Sequence, residues 1–312
     1  MSRPVADGVY AQRMLTRRLV KVRDRDDAIL PPWPLLCSGA TQKPTHLTTL
    51  GSRLTDRDRQ IALDCYDHRV LTTEQLLRLH FGGLRTTTLR LGTLYQLRVL
   101  DRFRPPRRRP GTGTNPYHWI LDEAGAHVVA AQRDMERRRL RWQHSDAVDI
   151  AQSSKLRHHI EINEFFSLLS LEAQLQHGAL HEWYGERITS TLFKGVVPDG
   201  YGVINLPRRP PVHLLLELDR GTEPARQLHD KAVLYARQIP RSQLGEHDAF
   251  VVLTVPTATR AKLAREAVTG TGAPIVVAEW SKASTHSPLA ILTDASEQIA
   301  ARRLAPATDR PV

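Results

Sequence analysis

Residues 196–223 read VVPDGYGVINLPRRPPVHLLLELDRGTE, and their reading decides the fold of the second half of the chain. Two strand-like pieces, VVPDGYGVI at 196–204 and VHLLLELD at 212–219, flank a Pro/Arg-rich turn and read as neighbouring strands. Four acids surround them: Asp199, Glu217, Asp219 and Glu223. Side chains two apart on a strand share a face, so Glu217 and Asp219 point one way and Leu216 and Leu218 the other. Glu223 follows the Gly221-Thr222 turn just ahead of a helix, where the helix dipole favours an acid. Asp199, Glu217 and Asp219 therefore leave two readings open: solvated strand ends, or carboxylates held together for a cation.

Working outward, a long amphipathic pattern from about Ser153 to Leu175 precedes the strand-like piece ALHEWYG at 179–185. After residue 223 come a helix from about Pro224 to Gln238, the strand AFVVLTV, a helix over TRAKLAREAV, and the strand PIVVAEW. The order α-β-β-β-α-β-α-β predicts a mixed α/β domain over 153–284, with a polar tail lacking elements over 285–312.

The first half is different in kind. The net charge of +11 is confined to it. Residues 51–145 hold 18 Lys and Arg against 10 Asp and Glu, whereas residues 146–312 hold 18 against 19. A basic half beside a neutral one implies a part that meets a polyanion and a part with other work. The two cysteines, Cys37 and Cys65, show no metal-ligand spacing, which argues for a reducing compartment. No secretory leader or membrane-length apolar run is visible, so a cytoplasmic protein is expected.

Residues 1–50 read as a basic, loosely ordered arm and linker, broken by LPPWPLL. From Leu54 three helices follow: one capped by Thr55, one capped by Thr72 with Gln75 in capping-box spacing, and one in RTTTLRLGTLYQLRVLDRF with Leu91, Leu94 and Leu97 inward. Strands near Leu100–Phe103 and Tyr117–Leu121 then form a hairpin, and a helix starts near Asp122. Three helices and a hairpin give the order of a winged helix-turn-helix domain over 51–131. Residues 132–152 read as a charged helical connector. On the third helix Arg85, Thr86, Arg90 and Thr93 are the expected DNA contacts, with Arg90 positioned to read guanine. Arg102, Arg104, Arg107, Arg108 and Arg109 of the wing are expected on phosphates.

PDG at 198–200 and LELD at 216–219 resemble the motif of PD-(D/E)xK metal-dependent nucleases, and the element order around them agrees. That resemblance implies Asp199, Glu217 and Asp219 as Mg²⁺ ligands, with a lysine beside the scissile phosphate. The pattern places lysine where Asp219 stands. Lys231, spaced with Leu228 and Tyr235 on the next helix, is the substitute, and Glu161 is a further candidate ligand. Without a histidine cluster nearby, Tyr201 and Tyr235 are poor nucleophile candidates.

A winged helix joined to LELDRGTE and a helix bearing Lys231 and Tyr235 resembles the replication-relaxation family of actinobacterial plasmids and integrative elements. The resemblance implies double-stranded DNA as partner, with replication or transfer proteins beside it, and no membrane. Two functions stay open: a Mg²⁺-dependent endonuclease or nickase with Asp199, Glu217, Asp219 and Lys231 in the site, and a non-catalytic replication or transcription regulator with an inert nuclease-like domain. A homodimer is a further expectation for a winged helix, although no clean heptad run marks one.

Overall fold

The computed structural model describes residues 47–105, 115–281 and 286–304. The wing-tip arginines Arg107, Arg108 and Arg109 lie outside the described residues, as does the arm up to residue 46. The architecture is mixed α/β, as expected, and divides into two compact units, with the boundary between Asn163 and Glu164. Among the described residues no helix is long and apolar enough to cross a membrane.

The first unit begins with α1 (Leu47–Arg53) and α2 (Asp56–Asp67). Thr55 and Asp58 form a reciprocal capping box at the start of α2, which satisfies two otherwise orphaned amides. A two-residue strand β1 (Leu71–Thr72) leads into α3 (Thr73–His80), where Thr72 and Gln75 repeat the device. Next come α4 (Leu84–Gln96) and the hairpin β2 (Leu100–Phe103) and β3 (His118–Leu121). The three helices and hairpin expected from the sequence are thus present. They share one core through Ile61, Leu76, Leu77, Leu91, Leu94 and Trp119, all under 3% exposed. β1 was not expected; it pairs antiparallel with β3, giving a sheet ordered β1-β3-β2.

α5 (Glu123–Gln132) starts at Asp122. The charged connector expected as one helix over 132–152 is instead broken into a 3₁₀ turn, Arg137–Arg139, and α6 (His144–Gln152). Arg137 explains the break. Its guanidinium lies 4.8 Å over the Trp142 ring, donates to the Trp142 carbonyl at 3.2 Å and pairs with Glu123, folding the chain back on α5.

α7 (Leu156–Leu175) contributes its first turns to unit one, where Asn163 Nδ2 donates to the carbonyls of His68 and Val70. In unit two its later residues Phe165, Phe166 and Leu169 are fully buried. The five-stranded sheet runs β4 (Ala179–Gly185), β5 (Gly200–Asn205), β6 (Val212–Leu218), β7 (Phe250–Val255) and β8 (Ile275–Glu279), in that spatial order. β4, β5 and β6 pair antiparallel, while β6, β7 and β8 are parallel. Between β4 and β5 lies the short α8 (Glu186–Thr189). The parallel crossovers carry α9 (Ala225–Gln238), α10 (Gln243–Glu246) and α11 (Ala258–Val268). Parallel pairing buries both faces of a strand, which is why β6 and β7 read as continuous apolar runs.

One face of this sheet packs on α7. Gly200 and Gly202 lie against the Phe166 ring so closely that a Cβ at either would sit 2.5 or 2.8 Å from a ring carbon. The other face packs Tyr201, Leu215, Val251 and Leu253 against Leu228, Ala232 and Tyr235 of α9 and Ala261 and Ala264 of α11. Glu217 shares the face of Leu215, and so points at α9 rather than at open solvent.

The tail expected to lack structure beyond Ser284 contains α12 (Pro288–Leu304). Leu289, Leu292, Ala295 and Ile299 form its buried stripe, and Glu172 of α7 accepts from the Leu289 N–H and the Ser287 hydroxyl at 2.8 Å. Its apolar signal is diluted by small and polar neighbours, which hid the helix in the sequence.

Candidate functional site

In unit one, α4 turns Thr87, Leu91 and Leu94 inward and leaves Leu84, Arg85, Thr86, Thr88 and Leu89 exposed. Arg85 and Thr86 are thus exposed on this helix. Thr93 is half-buried, and its hydroxyl donates to the Leu89 carbonyl at 3.1 Å. Arg90 is turned back into the fold. Its Nε donates to Asp58 Oδ1 at 2.8 Å, its NH2 group contacts Asp58 Oδ2 closely, and NH2 also reaches the Arg53 carbonyl at 3.1 Å. Asp58 is completely buried, so Arg90 is the counter-charge that makes that burial tolerable.

The hairpin arms are bound to aromatic rings. Arg102 lies 4.5 Å over Tyr95, 4.1 Å over Tyr117 and 5.5 Å from the Trp119 ring centre. Arg104 lies 3.7 Å over Tyr117. Trp119 is anchored by its Nε1, which donates to the Thr73 hydroxyl at 2.9 Å. Stacking restricts a guanidinium's rotamers while leaving its donor edge available, an arrangement suited to phosphate oxygens.

In unit two Asp199 and Glu217 are neighbours, and each acid is engaged from within. Asp199 Oδ2 accepts the Leu218 N–H at 2.8 Å at the end of β6. Glu217 Oε2 accepts from Lys231 Nζ at 3.0 Å, and its Oε1 accepts a short hydrogen bond from the Tyr235 hydroxyl. Lys231 also donates to Glu223 Oε1 at 2.9 Å. Of the three acids expected in the site, Lys231 thus contacts Glu217. Asp219 accepts from Arg260 Nε at 2.5 Å and from the Gly221 N–H at 2.7 Å. Gly221 has φ +86°, a left-handed turn that lets the amide fold back on the carboxylate.

Burial, and then the neighbouring Asp199 charge, push the Glu217 carboxyl up to about 7 despite Lys231. Burial opposes the Lys231 ammonium, but Glu217 and Glu223 outweigh it and raise its pKa. Burial, then Glu217, raises the Tyr235 phenol, and burial raises Tyr201 to about 12, so neither is an activated nucleophile.

A Mg²⁺ ion needs several carboxylate or water oxygens in near-octahedral array. Both oxygens of Glu217 and both of Asp219 already accept hydrogen bonds from Lys231, Tyr235, Arg260 and Gly221. Among the described residues no group of three or more His, Cys, Asp or Glu side chains is arranged to hold a metal. The residues present do not fit the Mg²⁺ site that the motif implied. Glu161 pairs instead with Arg157 on its own helix at 2.8 Å. Arg260, which sequence reasoning missed, stands 41 residues beyond Asp219 on α11, and no local pattern marks it as the partner.

Compared with known families, the chain matches the replication-relaxation model over residues 64–253. The chain belongs to the replication-relaxation family. The family match takes in α4, the hairpin, β4 to β6, α9 and most of β7, so the open helix face and the acids both lie inside it. Arg260 lies just outside it. Membership in the replication-relaxation family gives the chain a DNA-related role in replication or relaxation. No curated protein and no solved structure matched the chain.

Proposed function

We propose that the protein binds duplex DNA during replication of a plasmid or mobile element and does not cut it. In this reading unit one is a winged helix-turn-helix: α4 enters the major groove, and the hairpin follows phosphates beside it. The observation that carries it is the α4 face, which exposes Arg85 and Thr86 on a helix followed directly by the Arg102–Arg104 hairpin. The +8 balance of residues 51–145 supplies the long-range attraction.

Unit two is read as a PD-(D/E)xK-like fold in which Glu217 and Asp219 hold the sheet to α9 and α11, while Asp199 braces the end of β6 through the Leu218 amide. What supports this is that Glu217 is met by Lys231 and Asp219 by Arg260. Mg²⁺-dependent nicking is the competing reading, favoured by the closeness of Asp199 and Glu217 that raises the Glu217 pKa.

Fluorescence anisotropy of the full chain with a labelled 30-bp duplex tests the DNA-binding half. Binding at low salt that weakens steeply as salt rises is expected. Absence of binding at low salt overturns it.

A further inference from the structure

The solvent-facing stripe of α4 has an apolar centre. Helical geometry sets Leu89 opposite the inward Thr87, Leu91 and Leu94, with Arg85 one turn before it and Gly92 one turn after. Leu89 is 65% exposed and Leu84 52%, the two most exposed large apolar side chains among the described residues. The neighbouring hydroxyls are already engaged: Thr88 donates to the Leu84 carbonyl at 2.9 Å and Thr93 to the Leu89 carbonyl at 3.1 Å. Their protons are therefore held inside the helix.

Gly92 supplies an independent observation. A Cβ built there meets nothing within 4 Å, so packing in the chain does not call for glycine. Glycine is nevertheless a poor residue in the middle of a helix. A partner surface passing close to the helix backbone would require it. The partner's charge follows from the excess of 18 basic over 10 acidic residues in this region.

In the major groove the one apolar feature of a base edge is the thymine 5-methyl group. We infer that Leu89 is a specificity-determining residue that packs on thymine methyls in the major groove, with Gly92 admitting the groove edge close to the helix. The inference rests on the DNA-binding reading above and deepens it.

The test uses the full chain and two duplexes of equal length, alternating poly(dA–dT) and poly(dA–dU), which differ only in the methyl. The wild type binds the thymine duplex more tightly, by about four-fold for each methyl it buries. Leu89→Ala, at an exposed position, keeps the fold and binds both duplexes equally. Gly92→Ala binds both more weakly without melting at a lower temperature. Equal wild-type affinity for the two duplexes overturns the inference, as does a thymine preference that survives Leu89→Ala. Should the wild type ignore the methyl while Leu89→Ala disperses a dimer in sedimentation, the patch is a protein contact and the inference fails. Failure to bind either duplex at low salt removes the DNA-binding reading along with it, a result distinct from indifference to the methyl.

Discussion

Arg90 on α4 and Asp58 on α2 are joined by paired guanidinium–carboxylate hydrogen bonds, with Nε 2.8 Å from Oδ1 and NH2 against Oδ2. The Asp58 side chain is fully buried, and that of Arg90 is 30% exposed. The same Asp58 carboxylate accepts from the Thr55 amide and hydroxyl. Burial raises the Asp58 carboxyl, but the Arg90 and Thr55 hydrogen bonds win and hold it below its ordinary value. A side chain read from its spacing as a guanine contact is therefore part of what holds α4 on α2.

Arg90→Ala is accordingly a stability variant. Removing one partner of a buried pair leaves an uncompensated charge, a loss of about 3 kcal/mol. Urea denaturation should show that loss. Base preference measured on the surviving folded fraction should be unchanged, whereas a guanine-reading Arg90 would lose preference and keep stability.

Arg260→Ala should act in the same way in unit two. Its Asp219 partner has a side chain 1% exposed, and the pair ties β6 to α11. A loss of about 3–5 kcal/mol is expected, with Arg260→Lys recovering only part because lysine lacks the planar fork. Circular dichroism melts of the three proteins measure this.

Glu217 gives unit two a pH dependence of definite sign. Its carboxyl titrates at about 7 in the fold against an ordinary 4.5. For an acid so raised, the stability is fully present below the unfolded value and is lost as pH rises through about 7. The slope can reach about 1.4 kcal/mol per pH unit, for a total of about 3 kcal/mol. Stability should therefore fall between about pH 4.5 and 7, and Glu217→Gln should flatten that fall. A wild-type curve that rises over this window contradicts the assignment.

Much of this arrangement was legible because its causes are local. Thr55 and Thr72 announce α2 and α3 through caps within three residues, and β6 and β7 carry continuous apolar runs. The parts that escaped have remote or faint causes. β1 is two residues long and exists by pairing with β3. α12 hides its buried stripe among small and polar residues. In the candidate site, helical spacing foresaw the approach of Lys231 to Glu217, because both lie on regular elements. It did not foresee that Asp58 would claim Arg90 across 32 residues, or that Arg260 would claim Asp219 across 41. Partner choice between charged side chains is a tertiary event, and no periodicity records it.

The stacked arginines of the hairpin predict a graded effect on DNA binding. Replacing Arg102 and Arg104 with alanine, singly and together, should weaken binding to all duplexes alike. Each lost phosphate contact should make the slope of log Kobs against log salt shallower by about 0.9. An unchanged slope in the double variant places the phosphate contacts elsewhere.

The central claim, that the protein holds DNA without cutting it, is tested most directly on supercoiled plasmid in Mg²⁺ or Mn²⁺, run on agarose before and after removal of protein. A retarded complex that returns wholly to the supercoiled band is expected. Metal-dependent conversion to open circles that disappears in Asp199→Ala would contradict it.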